Sequence, residues 1–261
     1  EVETPVGVTP TISPGGVITA SGFGASPIIA RGTYIEIYGS SLSGLVSRGW
    51  TARDFVAGNA PTTLEGVSVT IGGARAFVNY VSPALVNVQV PASTPLGEAI
   101  PVVVNNGGQV SDPVFVEVRQ LTPGLLAPAN FKDGDRQQVV AVRSANGALI
   151  SYGPSTGAPA LAATRGETIV LFGIGFGAVT PASVSITGRI VQETARINAP
   201  ITCKIGGVDA EVTYAGLAPG AVGLYQFNIT VPADAPTGNQ AFEMTVNGEP
   251  LRQTQLFLPV Q

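Results

Sequence analysis

Arg31-Gly-Thr-Tyr-Ile-Glu-Ile-Tyr-Gly39 returns 134 residues later as Arg165-Gly-Glu-Thr-Ile-Val-Leu-Phe-Gly173. The same offset relates Val67-Ser-Val-Thr-Ile-Gly-Gly73 and the following Ala-Arg-Ala-Phe-Val-Asn-Tyr80 to Ile201-Thr-Cys-Lys-Ile-Gly-Gly207 and Val-Asp-Ala-Glu-Val-Thr-Tyr214. A third pair, Val86-Asn-Val-Gln-Val-Pro91 and Phe227-Asn-Ile-Thr-Val-Pro232, is offset by 141, so the second copy holds seven extra residues around Gly216 to Gly223. Separate blocks at a shared offset identify an internal duplication. Inside the blocks Tyr34, Glu36 and Tyr38 alternate with Ile35 and Ile37, and Val67, Val69 and Ile71 alternate with Ser68 and Thr70. A period of two turns one face of a strand to a core and the other outward. Gly72-Gly73, Gly206-Gly207 and Asn146-Gly147 supply the positive φ of tight hairpins, and Pro91 and Pro232 end strands. No stretch has the pattern of an amphipathic helix. Short strands punctuated by turns predict an all-β chain, with one β-sandwich over 13–122 and another over 123–261.

Composition bounds the function. The chain has 261 residues, enough for two domains with their own cores. Gly (33) and Pro (21) are abundant, yet 44% of residues are apolar, which separates the chain from disordered sequences. Only 11% are charged, against about 25% in an ordinary soluble domain. With a mean hydropathy of +0.33, such a surface suits burial against neighbours, so a homo-oligomer or polymer is expected. The net charge is −4 and lysine occurs only at Lys132 and Lys204, which argues against nucleic acid as a partner. No apolar run reaches 18 residues, so no transmembrane segment is expected.

Residues 1–12 lie outside the repeat. Val2, Val6, Val8 and Ile12 fall on even positions and give an extended segment one apolar face. Such a strand could be donated to the open edge of a neighbouring subunit, making these four residues an assembly strand. The alternatives are a linker or an extra edge strand of the segment's own domain.

Several stretches resemble an uncharacterised carboxy-terminal domain family first named from Solibacter proteins. They are Ser13-Pro-Gly-Gly-Val17, Gly66-Val-Ser-Val-Thr-Ile-Gly-Gly73, Tyr80-Val-Ser-Pro83, Ala215-Gly-Leu-Ala-Pro-Gly220 and Gly223-Leu-Tyr-Gln-Phe-Asn228, together with the block at Arg31–Gly39. Each half also resembles immunoglobulin-like modules of the TIG type. The resemblance implies two tandem immunoglobulin-like β-sandwiches with an extended N-terminal segment. It also implies a bacterial protein, extracellular or at the cell surface after removal of a signal peptide. It implies no activity.

The residues themselves offer little chemistry. Histidine is absent, which removes the commonest general base and most zinc sites. Cys203 alternates with Ile201 and Ile205 and is equivalent to Val69, the pattern of a small core residue. Gly173-Ile-Gly-Phe-Gly177 lacks the lysine and the helix of a phosphate loop and is expected to be a bend. Asp133-Gly-Asp135 lacks the other ligands of a calcium loop and is expected to be a turn. Tyr34, Tyr38, Tyr80, Tyr152, Tyr214 and Tyr225 could line a sugar platform, although the equivalence of Tyr80 and Tyr214 favours a shared packing role. Trp50, in a stretch that reads as loop, is the best single candidate for a contact residue. The expectation is a non-enzymatic extracellular structural protein, without catalytic, cofactor or metal residues, that assembles into a filament or matrix. The alternative is a secreted module that binds a glycan or a surface protein in adhesion.

Overall fold

The computed structural model describes residues 8–44, 47–151 and 161–261. They divide into two compact units. The first comprises the described residues up to Ala20, Ser26–Thr122 and Ser185–Ile190; the second comprises Ser21–Ala25, Pro123–Val184 and Val191–Gln261.

The first unit is a two-layer sandwich. Its strands are β1 (Thr11–Thr19), β2 (Ile28–Ala30), β3 (Tyr34–Ser40), β4 (Arg48–Gly49), β5 (Val67–Ile71), β6 (Ala74–Arg75), β7 (Phe77–Val81), β8 (Leu85–Gln89), β9 (Gly97–Asn106), β10 (Gln109–Val110) and β11 (Val114–Arg119). One sheet runs β1-β3-β8-β7-β4, and the other β2-β11-β9-β5-β6 with β10 beside β9. The alternation seen in sequence is the reason for the layering. Ile35, Ile37, Val78, Val86 and Val88 of the first sheet meet Val67, Val69, Ile71, Val102 and Val104 of the second, all fully buried. Burying one such side chain contributes about 1.5–3 kcal/mol.

The second unit repeats the plan with β12 (Gly124–Leu125), β13 (Lys132–Asp133), β14 (Arg136–Gln138), β15 (Ala141–Arg143), β16 (Leu149–Ile150), β17 (Thr168–Ile174), β18 (Val179–Thr180), β19 (Arg196–Ile197), β20 (Ile201–Ile205), β21 (Val208–Leu217), β22 (Tyr225–Thr230), β23 (Gly238–Val246), β24 (Glu249–Pro250) and β25 (Leu256–Val260). Strand β21 pairs with β20 through its first residues and with β22 from Glu211 on, so it passes from one layer to the other. In the first unit β6 and β7 share that task. The seven extra residues lengthen the β21–β22 hairpin. The bend at Gly173–Gly177 seats the Phe176 ring 4.6 Å from that of Phe227, and the Tyr225 hydroxyl donates to the carbonyl of Gly177.

Gly39 and Gly173 occupy matching places. Each faces the opening strand of its unit, through the pairs Ile12–Gly39 and Leu125–Gly173. A Cβ on Gly39 would lie 2.0 Å from the carbonyl oxygen of Thr11. Ile12 is thus buried in β1, paired within its own unit, whereas Val8 is 71% exposed. Val2 and Val6 lie outside the described residues.

The segment Ser185–Ile190 is held by backbone bonds, Ala60 N–H to the Gly188 carbonyl and Ile190 N–H to the Gly58 carbonyl, and by one buried side-chain amide. Gln89, wholly buried, donates from Nε2 to the carbonyls of Gly32 (3.0 Å) and Ile186 (2.8 Å), and its Oε1 accepts from the Gly188 N–H (2.8 Å). Gly188 adopts φ +63 against the Phe77 ring, where any Cβ would collide. In the second unit Gln253 acts likewise, donating to the carbonyls of Phe23 and Leu125 and accepting from the Leu125 N–H. Replacing Gln89 by Ala leaves these buried backbone groups without partners, at about 1–3 kcal/mol for each unsatisfied group. Urea unfolding followed by the emission of Trp50, the chain's single tryptophan, should show Gln89→Ala destabilised by about 2–3 kcal/mol. A fragment ending at Thr122, which lacks Ser185–Ile190, should unfold at lower urea than the intact chain.

Candidate functional site

The outer face of the β1-β3-β8-β7-β4 sheet collects most of the unusual side chains of the first unit. With Ile35 and Ile37 inside, β3 turns Tyr34, Glu36 and Tyr38 outward; with Val86 and Val88 inside, β8 turns out Asn87. Register then builds rows across the strands. Tyr34 pairs with Gln89, and Gln89 with Phe77. Glu36 lies opposite Ile18 on one side and Asn87 on the other; Asn87 lies opposite Tyr80, and Tyr80 opposite Gly49. A bulge at Asn79 brings Tyr80 into that row.

Trp50 follows β4 and is partly exposed. Its N–H donates to the carbonyl of Asn79 (2.8 Å), and its ring meets Tyr34 at 6.3 Å and Phe55 at 5.1 Å, both edge to face. Between them Trp50 and Tyr34 bridge across β7 and β8. The loop is fixed by Asp54, whose carboxylate accepts from the Thr51 N–H (2.7 Å) and from both terminal nitrogens of Arg48 (2.9 and 3.0 Å). Arg48 also donates to Glu65 (2.7 Å). Partly exposed pairs of this kind are weak singly, but a bidentate guanidinium confers geometry as well as energy. Arg48 holds the Asp54 carboxyl well below the usual carboxylate range, helped by the Thr51 N–H. The Tyr38 hydroxyl donates to Glu36 (2.8 Å), which with burial pushes its pKa up to about 12; burial alone raises that of Tyr34.

The duplication supplies an internal comparison. Where the first unit has Tyr34 and Glu36, the second has Thr168 and Val170. Asn87 and Asn228 are equivalent, yet their environments differ. Asn228 Oδ1 accepts from Gln226 Nε2 at 2.8 Å, whereas Asn87 Oδ1 is buried with no partner among the described residues. The residue in the place of Gln226 is Leu85, which has no donor to offer. Tyr214 donates its hydroxyl to the carbonyl of Leu217 (2.7 Å), and Arg196 lies 5.1 Å from its ring centroid. The Tyr80 hydroxyl has no partner among the described residues. The two tyrosines therefore share a register position without sharing contacts.

Other sequence candidates take structural places. Cys203 is buried in β20, and burial pushes its thiol up to about 12. Asp133 to Asp135 form the β13–β14 turn. Among the described residues no group of three or more acidic or cysteine side chains could hold a metal. Tyr152 lies outside the described residues. A cavity of about 240 Å³ in the second unit is lined by Phe242, Met244, Leu251 and Gln253 among others, mostly core side chains. The reading of Trp50 alone missed Glu36, Asn87 and the ring contact with Tyr34. The signal for Tyr34 and Glu36 is their mismatch with Thr168 and Val170, whereas Asn87 is matched by Asn228 and only its neighbour Leu85 differs from Gln226.

The IPT/TIG domain model matches residues 8–118, so a domain of that type is present in the first half of the chain. Among curated proteins none matches the chain. The chain is similar to a surface glycan-binding protein of the mixed-linkage glucan utilization locus of Bacteroides ovatus, with 14% identity over 90% of this chain and 44% of that one and a TM-score of 0.36. It is also similar to the surface glycan-binding protein PbSGBP-B of Prevotella bryantii (12% identity, 93% and 41% covered, TM-score 0.29). A third likeness is to the Escherichia coli adhesin FdeC (12% identity, 97% and 63% covered, TM-score 0.28). The chain spans less than half the length of the two glycan-binding proteins.

Because Asp54 titrates below its ordinary value in the folded protein, its contribution is present above about pH 4 and is lost as pH falls further. Trp50 emission should therefore stay constant from neutral pH through about pH 4 and shift to the red only well below it, where the folded carboxyl takes its proton. Asp54→Asn should show the red-shifted emission already at pH 7, with greater quenching by acrylamide.

Proposed function

We propose that the chain is a non-enzymatic, extracellular binding module that serves adhesion, with its contact surface on the outer face of the β1-β3-β8-β7-β4 sheet around Trp50. The observation that carries this reading is the cluster of Trp50, Tyr34 and Phe55. It is partly exposed, held in place by the Arg48–Asp54 pair, and its Tyr34 and Glu36 are replaced in the second unit. An aromatic ring fixed beforehand loses little entropy on binding and offers a large apolar area, which is why tryptophan and tyrosine dominate contact surfaces. The surrounding groups include amides, hydroxyls and a carboxylate, which suit recognition.

The test is adherence of chain-coated beads to an array of immobilised glycans and extracellular matrix proteins. The intact chain should be retained, and Trp50→Ala should lose about tenfold or more in apparent affinity with its unfolding midpoint little changed. Retention that ignores the substitution, or no retention at all, would sink the proposal.

A second reading is self-assembly through residues 1–12. Val8 is largely exposed just before β1, and Phe115, at 61%, stands out from the opposite sheet on a chain of low charge. Ile12 already packs in its own unit, so the informative truncation removes residues 1–8. If assembly depends on this segment, light scattering should find polymers of the intact chain and monomers of the truncated one; monomers in both would end this reading.

A further inference from the structure

Asn87 Oδ1 is buried and receives no hydrogen bond from its neighbours in the row. An acceptor left unpaired in the interior is destabilising, and most buried polar atoms find a partner. The second unit shows how this strand position is satisfied internally, through Gln226. With Leu85 in that place, the first unit leaves the acceptor open. On one side of Asn87 stands Glu36, whose carboxylate takes one hydrogen bond from Tyr38 and has further acceptor sites. On the other stands Tyr80, whose hydroxyl has no partner among the described residues.

We infer that the row Glu36–Asn87–Tyr80 is a hydroxyl-binding subsite for a neutral polysaccharide laid across the strands beside Trp50. The inference rests on the binding role proposed above and names its ligand. A sugar supplies hydroxyl donors for Asn87 Oδ1 and Glu36, an acceptor for Tyr80, and an apolar C–H face for the rings of Trp50 and Phe55. An anionic ligand finds no free cation in the row, because Arg48 is committed to Asp54 and Glu65. An ammonium group would be drawn to Glu36, but it cannot satisfy Asn87 Oδ1 and the Tyr80 hydroxyl together as adjacent hydroxyls do. From Ile18 to Gly49 the row crosses four strand spacings of about 4.8 Å, roughly 19 Å, enough for several sugar rings. Asn87 Oδ1 is closed off from solvent, so a hydroxyl reaches it by displacing a neighbouring side chain. Trp50 emission is placed to report that displacement.

The experiment titrates the intact chain with soluble mixed-linkage β-glucan and with galactomannan, reading Trp50 emission and heat. Polygalacturonate and a lysine-rich peptide serve as charged controls. Expected is saturable binding of at least one neutral polysaccharide and none of either control. Leu85→Gln, which installs the second unit's partner for Asn87, should weaken that binding about tenfold or more without lowering the unfolding midpoint. Asn87→Leu should do the same. Binding undiminished in Leu85→Gln and Asn87→Leu, but lost in Trp50→Ala, would overturn this subsite while sparing the binding role. Binding of the peptide in preference to the glycans would also overturn it. If neither polysaccharide binds, yet beads are retained on the array through Trp50, the subsite fails alone; if retention fails too, both fail.

Discussion

The strict alternation of β3 is the constraint on which both the core and the candidate site depend. Ile35 and Ile37 must face the opposite sheet, and this alone sends Tyr34, Glu36 and Tyr38 to the outer face. A slip of one residue against β8 would exchange the sets, burying a carboxylate and two phenols and exposing the isoleucines. The register that stabilises the sandwich is thus the register that aligns Glu36 with Asn87 and Tyr80. The core and the proposed contact surface are opposite faces of one strand, so core substitutions that shift β3 would also disorder the row.

Polar interactions decide what hydrophobic burial leaves open. Burial is non-directional and gives little reason for one particular loop to settle against a sandwich. Gln89 and Gln253 supply the direction, each matching an amide to backbone groups of a segment far away in sequence. A neutral amide suits this task, since it donates and accepts at once and avoids the cost of an enclosed charge. A chain with so few charged residues relies on amides where others would use ion pairs. Ion pairs are still used, by Arg143 with Glu167 in the second unit and by Arg48 with Asp54 and Glu65 at the loop that presents the tryptophan.

Local periodicity made the architecture legible. The strands at Val67–Ile71 and Ile201–Ile205, the hairpin glycines and the core placement of Cys203 follow from residues within a few positions of one another, and the duplication from blocks repeated at a fixed offset. Ser185–Ile190 joining the first unit was not legible, because its contacts with Gln89 and Phe77 span about a hundred residues and leave no periodic trace. Trp50 was legible as a loop aromatic, but its locking by Asp54 depends on side-chain geometry. Asn87 is identical to its counterpart Asn228 and carries no signal in the sequence, since its unpaired oxygen depends on the positions of neighbouring side chains.

The buried glutamines also bear on the order in which the chain takes shape. Synthesis is vectorial, at about 5–20 residues per second. Ile190 leaves the ribosome sixty-eight residues after Thr122, a delay of roughly 3–14 s during which Gln89 has no carbonyl of Ile186 to hold. Phe23 waits longer still for Gln253. The first sandwich is complete only once Ile190 has been made, so a pause or truncation between Thr122 and Ile190 reaches back to it.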